Sequence, residues 1–307
     1  MSDSPLKRKK KWGKVNTPLL MLALPTIITV FIFNYLPIFG VSIAFLDYNP
    51  VLGFAESSWV GLKNFEFFFK SNDAFTVIRN TILYNLLFIV LNNTLYLVFA
   101  FCWYDMSKRA TKAVQTTLLI PSTISWVLVA SIGFALFSHE NGLLTEMVKN
   151  LTGKEILWYS EPKYWPFILT IFNFWKNAGT GTILFYAALM ALDSSLLEAA
   201  TLDGANKFQK IWYVSLPSIM PTVVIVVIMA VGSIMNGDFG LYYQLPMNSG
   251  ALYPATDVLE TYVYRGLVQG SYSQTAAVGL FKNVVGLILV LLSDAFAKKI
   301  DPEYGMF

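Results

Sequence analysis

The residues best suited to specific contact lie in a polar stretch, 193–217, between two long apolar runs. Ser195 is followed three residues later by Glu198, a spacing that predicts a capping box at the start of a helix. Gly204 then predicts the end of that helix, because glycine adopts the left-handed conformation that closes a helix. A helix this short is marginal alone in water. The pattern therefore predicts a short helix that packs against another surface.

The same stretch predicts a second short helix, opened by Asn206 and Gln209. Ala199 and Ala200 are small enough to let a partner backbone approach closely, and Asp203 adds charge at the edge. Two interpretations of these residues remain open. They form either a docking surface for another protein or a plain connector with ordinary helix caps.

The chain lacks the usual signatures of catalysis and nucleotide binding. No phosphate-binding loop occurs, since Gly13-Lys14 and Gly153-Lys154 lack the required glycine and hydroxyl residue. No nucleophile elbow, HExxH sequence or pair of catalytic carboxylates is present. One cysteine, Cys102, and one histidine, His139, cannot form a metal set or a disulfide framework. The sequence thus predicts no enzyme, no bound cofactor and no nucleic-acid partner.

Several polar and aromatic residues lie inside or beside long apolar runs, where polar groups usually face a bundle interior or a water-filled cavity. Amides can hydrogen-bond the polar groups of a ligand, and aromatic rings can pack on its apolar faces. Asparagine also joins helices to each other, and tyrosine and tryptophan mark membrane interfaces. The candidate residues along a substrate path are Asn173, Trp175, Lys176, Asn177, Asn236, Tyr242 and Tyr243.

The elements that must position these residues are membrane-spanning helices. Only 13% of the 307 residues are charged and 55% are hydrophobic, whereas a soluble domain carries about 25% charged residues. Runs long enough to cross a bilayer occur at about 17–45, 76–104, 114–138, 166–191, 217–236 and 276–297. The prediction is an all-α integral membrane protein with six spans. The first contains Pro25 and Pro37, so it is expected to be kinked or to extend beyond the membrane.

The distribution of Lys and Arg predicts the orientation. With the N-terminus inside, the cytoplasmic segments hold thirteen basic residues and the outer loops six, which favours both termini in the cytoplasm. The expected organisation is a basic cytoplasmic tail at 1–16, a six-span domain at 17–297 and a cytoplasmic tail at 298–307.

The stretch between spans four and five resembles the EAA motif of ABC importer permeases. Glu198-Ala-Ala is followed after three residues by Gly204, then after nine residues by Val214, and then by Leu216-Pro217. Every spacing of the family pattern is kept, and Val214 in place of isoleucine is a mild departure. The resemblance implies the type I ABC importer permease fold, in which this loop is a cytoplasmic coupling helix that enters a cleft on an ATPase.

The roles of the loop residues follow from that resemblance. Glu198 would pair with a basic group of the ATPase as well as cap its own helix, Ala199 and Ala200 would form the close contact, and Gly204 would make the turn. The residues that the resemblance assigns to coupling are Glu198, Ala199, Ala200, Asp203, Gly204, Val214, Leu216 and Pro217.

Further segments resemble sugar permeases related to the maltose importer. Trp59–Phe65 is similar to a sequence of that group, and Asp257–Arg265 resembles the branch for oligosaccharide and polysaccharide uptake. The resemblance implies a bacterial cytoplasmic-membrane subunit that imports an oligosaccharide. Its partners would be a second, non-identical permease, two ATPases that hold ATP and Mg²⁺, and an extracellular solute-binding protein.

Two alternatives remain. A type I permease for another solute, such as phosphate or amino acids, would need basic residues on the path, and only Lys176 and Lys282 qualify. An ATP-independent secondary transporter would need coupling carboxylates within the spans, and no span interior is expected to hold one.

Overall fold

The structure, a computed structural model, describes residues 17–305. The basic tail expected at 1–16 and residues 306–307 therefore lie outside the described residues. The tail expected from 298 onward begins within the last long helix, which extends to Ile300.

The first apolar run is one continuous helical path whose hydrogen-bonding pattern changes twice. Helix α1 (Thr17–Val30) passes into a π-helical turn (Phe31–Tyr35) and then into a 3₁₀ segment (Leu36–Phe45). Proline lacks the N–H that an α-helix needs, so Pro25 and Pro37 are incompatible with regular hydrogen bonding along this path. A kink in this span, or its extension beyond the membrane, stays a prediction.

A small outer unit follows the first span. Strands β1 (Leu46–Asp47) and β2 (Ser58–Trp59) pair antiparallel across the short helix α2 (Gly53–Glu56). Helix α3 (Lys63–Lys70) follows this unit in the chain. The buried Asn64 amide donates 2.9 Å hydrogen bonds to the carbonyls of Ala44 and Leu46 and thereby fixes α3 to the end of the first span.

The remaining long helices form the bundle. Their bounds are α4 Asn72–Tyr104, α5 Lys108–Thr123, α6 Trp126–Phe137, α7 Leu143–Thr152, α8 Trp165–Met190, α9 Ser194–Leu202, α10 Lys207–Lys210, α11 Leu216–Gly232, α12 Tyr253–Thr256, α13 Leu259–Val268 and α14 Tyr272–Ile300. Single turns of 3₁₀ or π helix occupy Pro162–Tyr164, Ile211–Ser215, Gly240–Gln244, Gly250–Leu252 and Pro302–Tyr304.

Helix α8 is the centre of the bundle and packs against both α4 and α5. A Cβ added at Gly179 would lie 2.3 Å from the carbonyl oxygen of Leu118. Only glycine permits so close an approach of two helix backbones. The position therefore sets the distance between α5 and α8.

The expected third span, 114–138, is not one continuous helix. It is a pair, α5 and α6, bent by 94°. Ile124 and Ser125 adopt extended conformations between the two helices. The Ser125 hydroxyl accepts a 3.4 Å hydrogen bond from the N–H of Leu128, which starts α6 as a new helix.

Within residues 17–305, four helical runs are long and apolar enough to cross a membrane: Pro18–Phe45, Asn72–Tyr104, Lys207–Gly232 and Tyr272–Ile300. Counting the bent pairs α5–α6 and α8–α9 as one span each gives up to six. The expected fifth span ends earlier than predicted, at Gly232 rather than at 236, so Asn236 lies beyond its helix.

The chain after α11 is not a simple outer loop. Leu241, Leu245 and Leu252 are fully buried. They form the main core with residues of α4, α6 and α8, including Tyr84, Val129, Trp165 and Phe172. This inserted segment carries two of the candidate path residues, Tyr242 and Tyr243, and so links them to the packing of the whole bundle.

Candidate functional site

Helix α9, which begins the candidate coupling loop, is capped by Asp193. The Asp193 carboxylate accepts a 3.0 Å hydrogen bond from the N–H of Ser195, and this bond lowers its pKa. The predicted capping box of Ser195 and Glu198 is therefore wrong, because Ser195 already lies inside the helix. Within residues 17–305, the exposed Glu198 carboxylate has no hydrogen bond or ion pair, so it does not cap its own helix.

Gly204 ends α9 as predicted. Its φ of +79° lies in the left-handed region. The N–H of Ala205 bonds the carbonyl of Ala200 at 2.9 Å, and the N–H of Gly204 bonds that of Thr201 at 3.1 Å. These two bonds form a Schellman motif, which turns the chain sharply after the helix.

The predicted opening of the second helix by Asn206 and Gln209 is also confirmed. Each backbone N–H donates to the other residue's side chain, at 2.7 and 2.9 Å. Helix α10 then continues through the π turn into α11. The ammonium of Lys207 lies 2.8 Å from the Asp105 carboxylate, which ties the loop to the end of α4.

The turn presents large apolar side chains to the outside. Leu202 is 89% exposed, and Phe208, Trp212 and Tyr213 are also exposed. The candidate coupling residues around them differ in exposure. The exposed ones are Glu198, Ala199, Asp203, Gly204 and Pro217, and the half-buried ones are Ala200, Val214 and Leu216. We call the exposed residues between Glu198 and Tyr213 the coupling surface. An apolar patch rimmed by charge on two short helices is suited to docking against another protein.

In α8, the candidate path residues Asn173 and Asn177 serve helix packing. The buried Asn173 side chain accepts a 2.8 Å hydrogen bond from the amide of Asn92 in α4. The Asn177 amide donates to the carbonyl of Asn173, four residues earlier, at 3.0 Å. Trp175 is partly exposed and packs edge-on against Phe172. A contact of these residues with substrate stays a prediction.

Lys176 has a specific structural role. It is buried, and its ammonium donates to the carbonyls of Pro121 at 3.2 Å, Ser122 at 3.4 Å and Ile124. These carbonyls lie where α5 ends and α6 begins, and the last carbonyls of a helix lack intrahelical donors. The same ammonium lies 5.1 Å from the centre of the Trp126 ring. Lys176 thus stabilises the 94° bend.

The other candidate path residues follow α11. Asn236 is exposed and Tyr243 is half-buried, stacked 4.7 Å from Phe239, but Tyr242 is buried in the core. Beside them the exposed Asp238 accepts a 2.8 Å hydrogen bond from the Trp126 indole. The structure therefore places Asn236 and Tyr243 at a surface and removes Tyr242 from it.

Two ion pairs in this region were missed by sequence reasoning. Glu260 bonds Lys282 at 2.7 Å and accepts a 2.6 Å bond from the N–H of Gly237. Asp257 pairs with Arg265, and both side chains are largely buried. Asp257 and Arg265 lie eight residues apart, with no local motif to signal the pair, and Lys282 had no assigned partner. Both pairs hold the segment after α11 to α13 and α14.

A comparison with known families decides the identity of the chain. The family described as "Binding-protein-dependent transport system inner membrane component" matches residues 97–304. The chain belongs to this family. It is accordingly a membrane permease subunit of an ABC importer and not an enzyme.

Two proteins of Bacillus subtilis are similar in sequence to nearly the whole chain. Protein LplB of Bacillus subtilis is 37% identical over 98% of this chain and 92% of its own length. The polygalacturonan/rhamnogalacturonan transport system permease protein YteP of Bacillus subtilis is 35% identical over 93% of this chain and 89% of its own.

A solved structure shares the type I permease fold. It is a crystal structure of a bacterial ABC transporter involved in the import of the acidic polysaccharide alginate. It has a TM-score of 0.83 and 30% identity, and covers 93% of this chain and 96% of its own. A second structure shows the bacterial alginate transporter in complex with an alginate pentasaccharide-bound periplasmic protein, with a TM-score of 0.83, 29% identity and coverage of 95% and 98%.

Proposed function

We propose that this permease translocates an oligosaccharide delivered by an extracellular binding protein, and that it receives the energy of ATP hydrolysis through the coupling surface. The observation that carries the proposal is the turn at Gly204. It joins two short helices, with Leu202 and Phe208 exposed and Glu198 unpaired within the described residues. A surface of this kind in a member of this family is suited to an ATPase cleft.

The coupling residues would act in different ways. Glu198 would pair with a basic group of the ATPase, and Ala199 and Ala200 would admit its backbone closely. Asp203 and Gly204 would set the turn. Val214, Leu216 and Pro217 lie where the loop joins α11, so they would transmit the displacement of the loop to that span.

The partners of the chain follow from the same proposal. A second homologous permease would complete the pathway, and two ATPase subunits would bind ATP and Mg²⁺. Closure of the ATPases would draw the two coupling loops together and open the pathway outward. The excess of Lys and Arg in the predicted inner segments supports a bacterial cytoplasmic-membrane location with both termini inside. It also supports the assignment of 1–16 and 298–307 as cytoplasmic tails.

An oligosaccharide cargo is supported by the descriptions of similar proteins, which refer to polygalacturonan and alginate. The alternative of an inorganic anion loses support, because Lys176 is held by carbonyls and Lys282 by Glu260. A secondary transporter would need a titratable carboxylate within a span. Asp294 does lie within α14, but it pairs with Lys298 at 2.9 Å in the last turns.

The test uses two matched substitutions in the complete importer. Leu202 and Val51 are both apolar and 89% and 90% exposed, but Val51 lies in the predicted first outer loop. We expect Leu202→Asp to prevent co-purification of the ATPases and to abolish oligosaccharide uptake, since it places a charge in the apolar contact. Val51→Asp should leave both measurements unchanged.

Membrane insertion of both variants is checked by their yield in the membrane fraction. Normal ATPase association and uptake in Leu202→Asp would contradict the proposed coupling surface.

A further inference from the structure

A cavity of about 520 Å³ lies between α6 and residues 243–248. This volume is within the range of roughly 300–1,000 Å³ that is usual for small-molecule sites. Its lining is formed by Val127, Ala130, Ser131, Phe134, Tyr243, Gln244, Met247 and Asn248. We call it the α6 groove.

The polar groups of the α6 groove suit hydroxyl groups. Within the part of the chain that the structure describes, the Gln244 side-chain amide has no hydrogen-bond partner. The Asn248 amide uses only its oxygen, which accepts a 3.0 Å bond from the Tyr253 hydroxyl. The Ser131 hydroxyl donates to the carbonyl of Val127 at 3.1 Å and can still accept. Two amides and a hydroxyl thus offer both donors and acceptors.

The aromatic side of the groove is held in place. Tyr243 stacks on Phe239, with ring centres 4.7 Å apart, and meets the Tyr264 ring edge-on at 4.9 Å. Phe134 is also exposed to the groove. A fixed ring beside amides that retain free hydrogen-bonding groups is the combination that binds the apolar face and the hydroxyls of a sugar.

The groove wall adopts an unusual backbone conformation. Met247 and Asn248 have φ values of +54° and +48°, which side chains other than glycine rarely adopt. Such conformations persist where the surrounding fold enforces them, and they cluster at functional sites. Met247 and Phe134 also line a larger cavity of about 760 Å³ that contains Trp158 and Ser249. The two cavities therefore adjoin each other.

Two cations near the groove are engaged by other groups. No Lys, Arg, Asp or Glu lines it among the described residues. Lys176 lies against Trp126, next to the groove residue Val127, but it is held by three carbonyls. Arg265 lies 4.2 Å from the Tyr253 ring and pairs with Asp257. A carboxylate placed in the groove would lose hydration without gaining a cation, which is unfavourable.

We propose that the α6 groove is a binding subsite for an uncharged sugar unit of the transported oligosaccharide. This proposal rests on the proposed function and narrows its substrate class to neutral saccharides. The proposed cargo therefore differs in charge from alginate. Alginate is the acidic polysaccharide imported by the solved transporter whose matching chain is 30% identical to this one.

The experiment measures binding of tetrasaccharides to the complete importer in lipid nanodiscs without ATP, by saturation-transfer difference NMR. The probes are xylotetraose, cellotetraose and mannotetraose as neutral chains, and tetragalacturonate as an acidic chain of the same length. We expect at least one neutral probe to bind and tetragalacturonate not to bind. Gln244→Ala and Tyr243→Ala should each weaken binding of that neutral probe at least tenfold.

Gln269→Ala is the matched control, since Gln269 is an exposed amide at the end of α13, outside the groove. It should bind the neutral probe as the unmodified importer does. Ser131→Lys adds a cation to the groove and should create tetragalacturonate binding.

Two results would overturn the proposal: binding of tetragalacturonate by the unmodified importer as tight as that of the neutral probes, or equal effects of Gln244→Ala and Gln269→Ala. Either failure is distinguishable from failure of the proposed function, because ATPase association through Leu202 is measured separately and needs no sugar.

Discussion

The Asp193 carboxylate caps α9, and this leaves Glu198 exposed and without a partner within residues 17–305. Glu198→Gln keeps the shape of the side chain and removes its charge. We therefore expect Glu198→Gln to weaken ATPase co-purification and to lower uptake at least tenfold without loosening α9, because a charged group that meets a basic partner contributes more than a neutral one.

Substitutions at Asp193 separate capping from coupling. Asp193→Ala should make α9 more sensitive to limited proteolysis, since the N–H of Ser195 loses its acceptor, whereas Asp193→Asn should keep the cap. The lowered pKa of Asp193 means that its cap persists at neutral pH and is lost only as the pH falls through that pKa. If Glu198→Gln loosened α9 as Asp193→Ala does, the division of roles between them would be wrong.

At the residue scale, the sequence predicted the geometry within a few residues better than the contacts between residues that lie far apart in the chain. Gly204 and the Asn206–Gln209 pair behave as their spacing indicates, because their bonds are formed within a few residues. Asp193 was missed because Ser195 offered an equally valid local cap. Asn173 could not be assigned from sequence, since its partner Asn92 lies 81 residues away.

At the scale of elements, the turn between α9 and α10 depends on a left-handed residue. Gly204→Val should strain the turn by about 1–2 kcal/mol, because a β-branched side chain disfavours positive φ, and it should lower both ATPase association and uptake. Gly204→Asn is the control, since asparagine tolerates this conformation, and it should retain most uptake. Co-purification and uptake assays measure both variants. Equal losses in the two variants would show that any side chain added at position 204 disturbs coupling, whether or not it strains the turn.

The bend between α5 and α6 depends on Lys176. Lys176→Met places an apolar side chain in the same space but leaves the carbonyls of Pro121 and Ile124 without their hydrogen-bond donor. Hydrogen bonds to charged groups contribute about 1.5–3 kcal/mol, so we expect a lower thermal unfolding midpoint of the purified importer and reduced uptake. Lys176→Gln keeps donors and should lose less. Unchanged stability of Lys176→Met would show that the bend does not need the ammonium.

Hydropathy could locate this bent element but not its shape. Residues 114–138 form one apolar run, and the break at Ile124 and Ser125 contains neither glycine nor proline. The donor that stabilises the break comes from α8, more than fifty residues later in the chain. A signal confined to one segment cannot reveal such a tertiary contact.

At the scale of the whole molecule, the apolar runs predicted the all-α membrane architecture, because bilayer thickness fixes the length of a span. They did not predict that the chain after α11 would enter the core, where Leu241 and Leu245 are fully buried. This segment is held by the pairs Asp257–Arg265 and Glu260–Lys282. Burial in protein allows irregular backbone in this segment, since its polar groups find partners there.

The orientation of the molecule can be tested through its single cysteine. Cys102 is replaced by serine, and new cysteines are placed singly at Val51 and Met106, which are both exposed. Met106 precedes the basic residues Lys108 and Arg109, and positive charge favours the cytoplasmic side. In right-side-out vesicles carrying the complete importer, a membrane-impermeant maleimide should label Val51→Cys directly and Met106→Cys only after permeabilisation. Retained uptake in the Cys102→Ser background shows that the fold is intact. Labelling of Met106→Cys in sealed vesicles would invert the proposed topology and place the coupling surface on the side away from ATP.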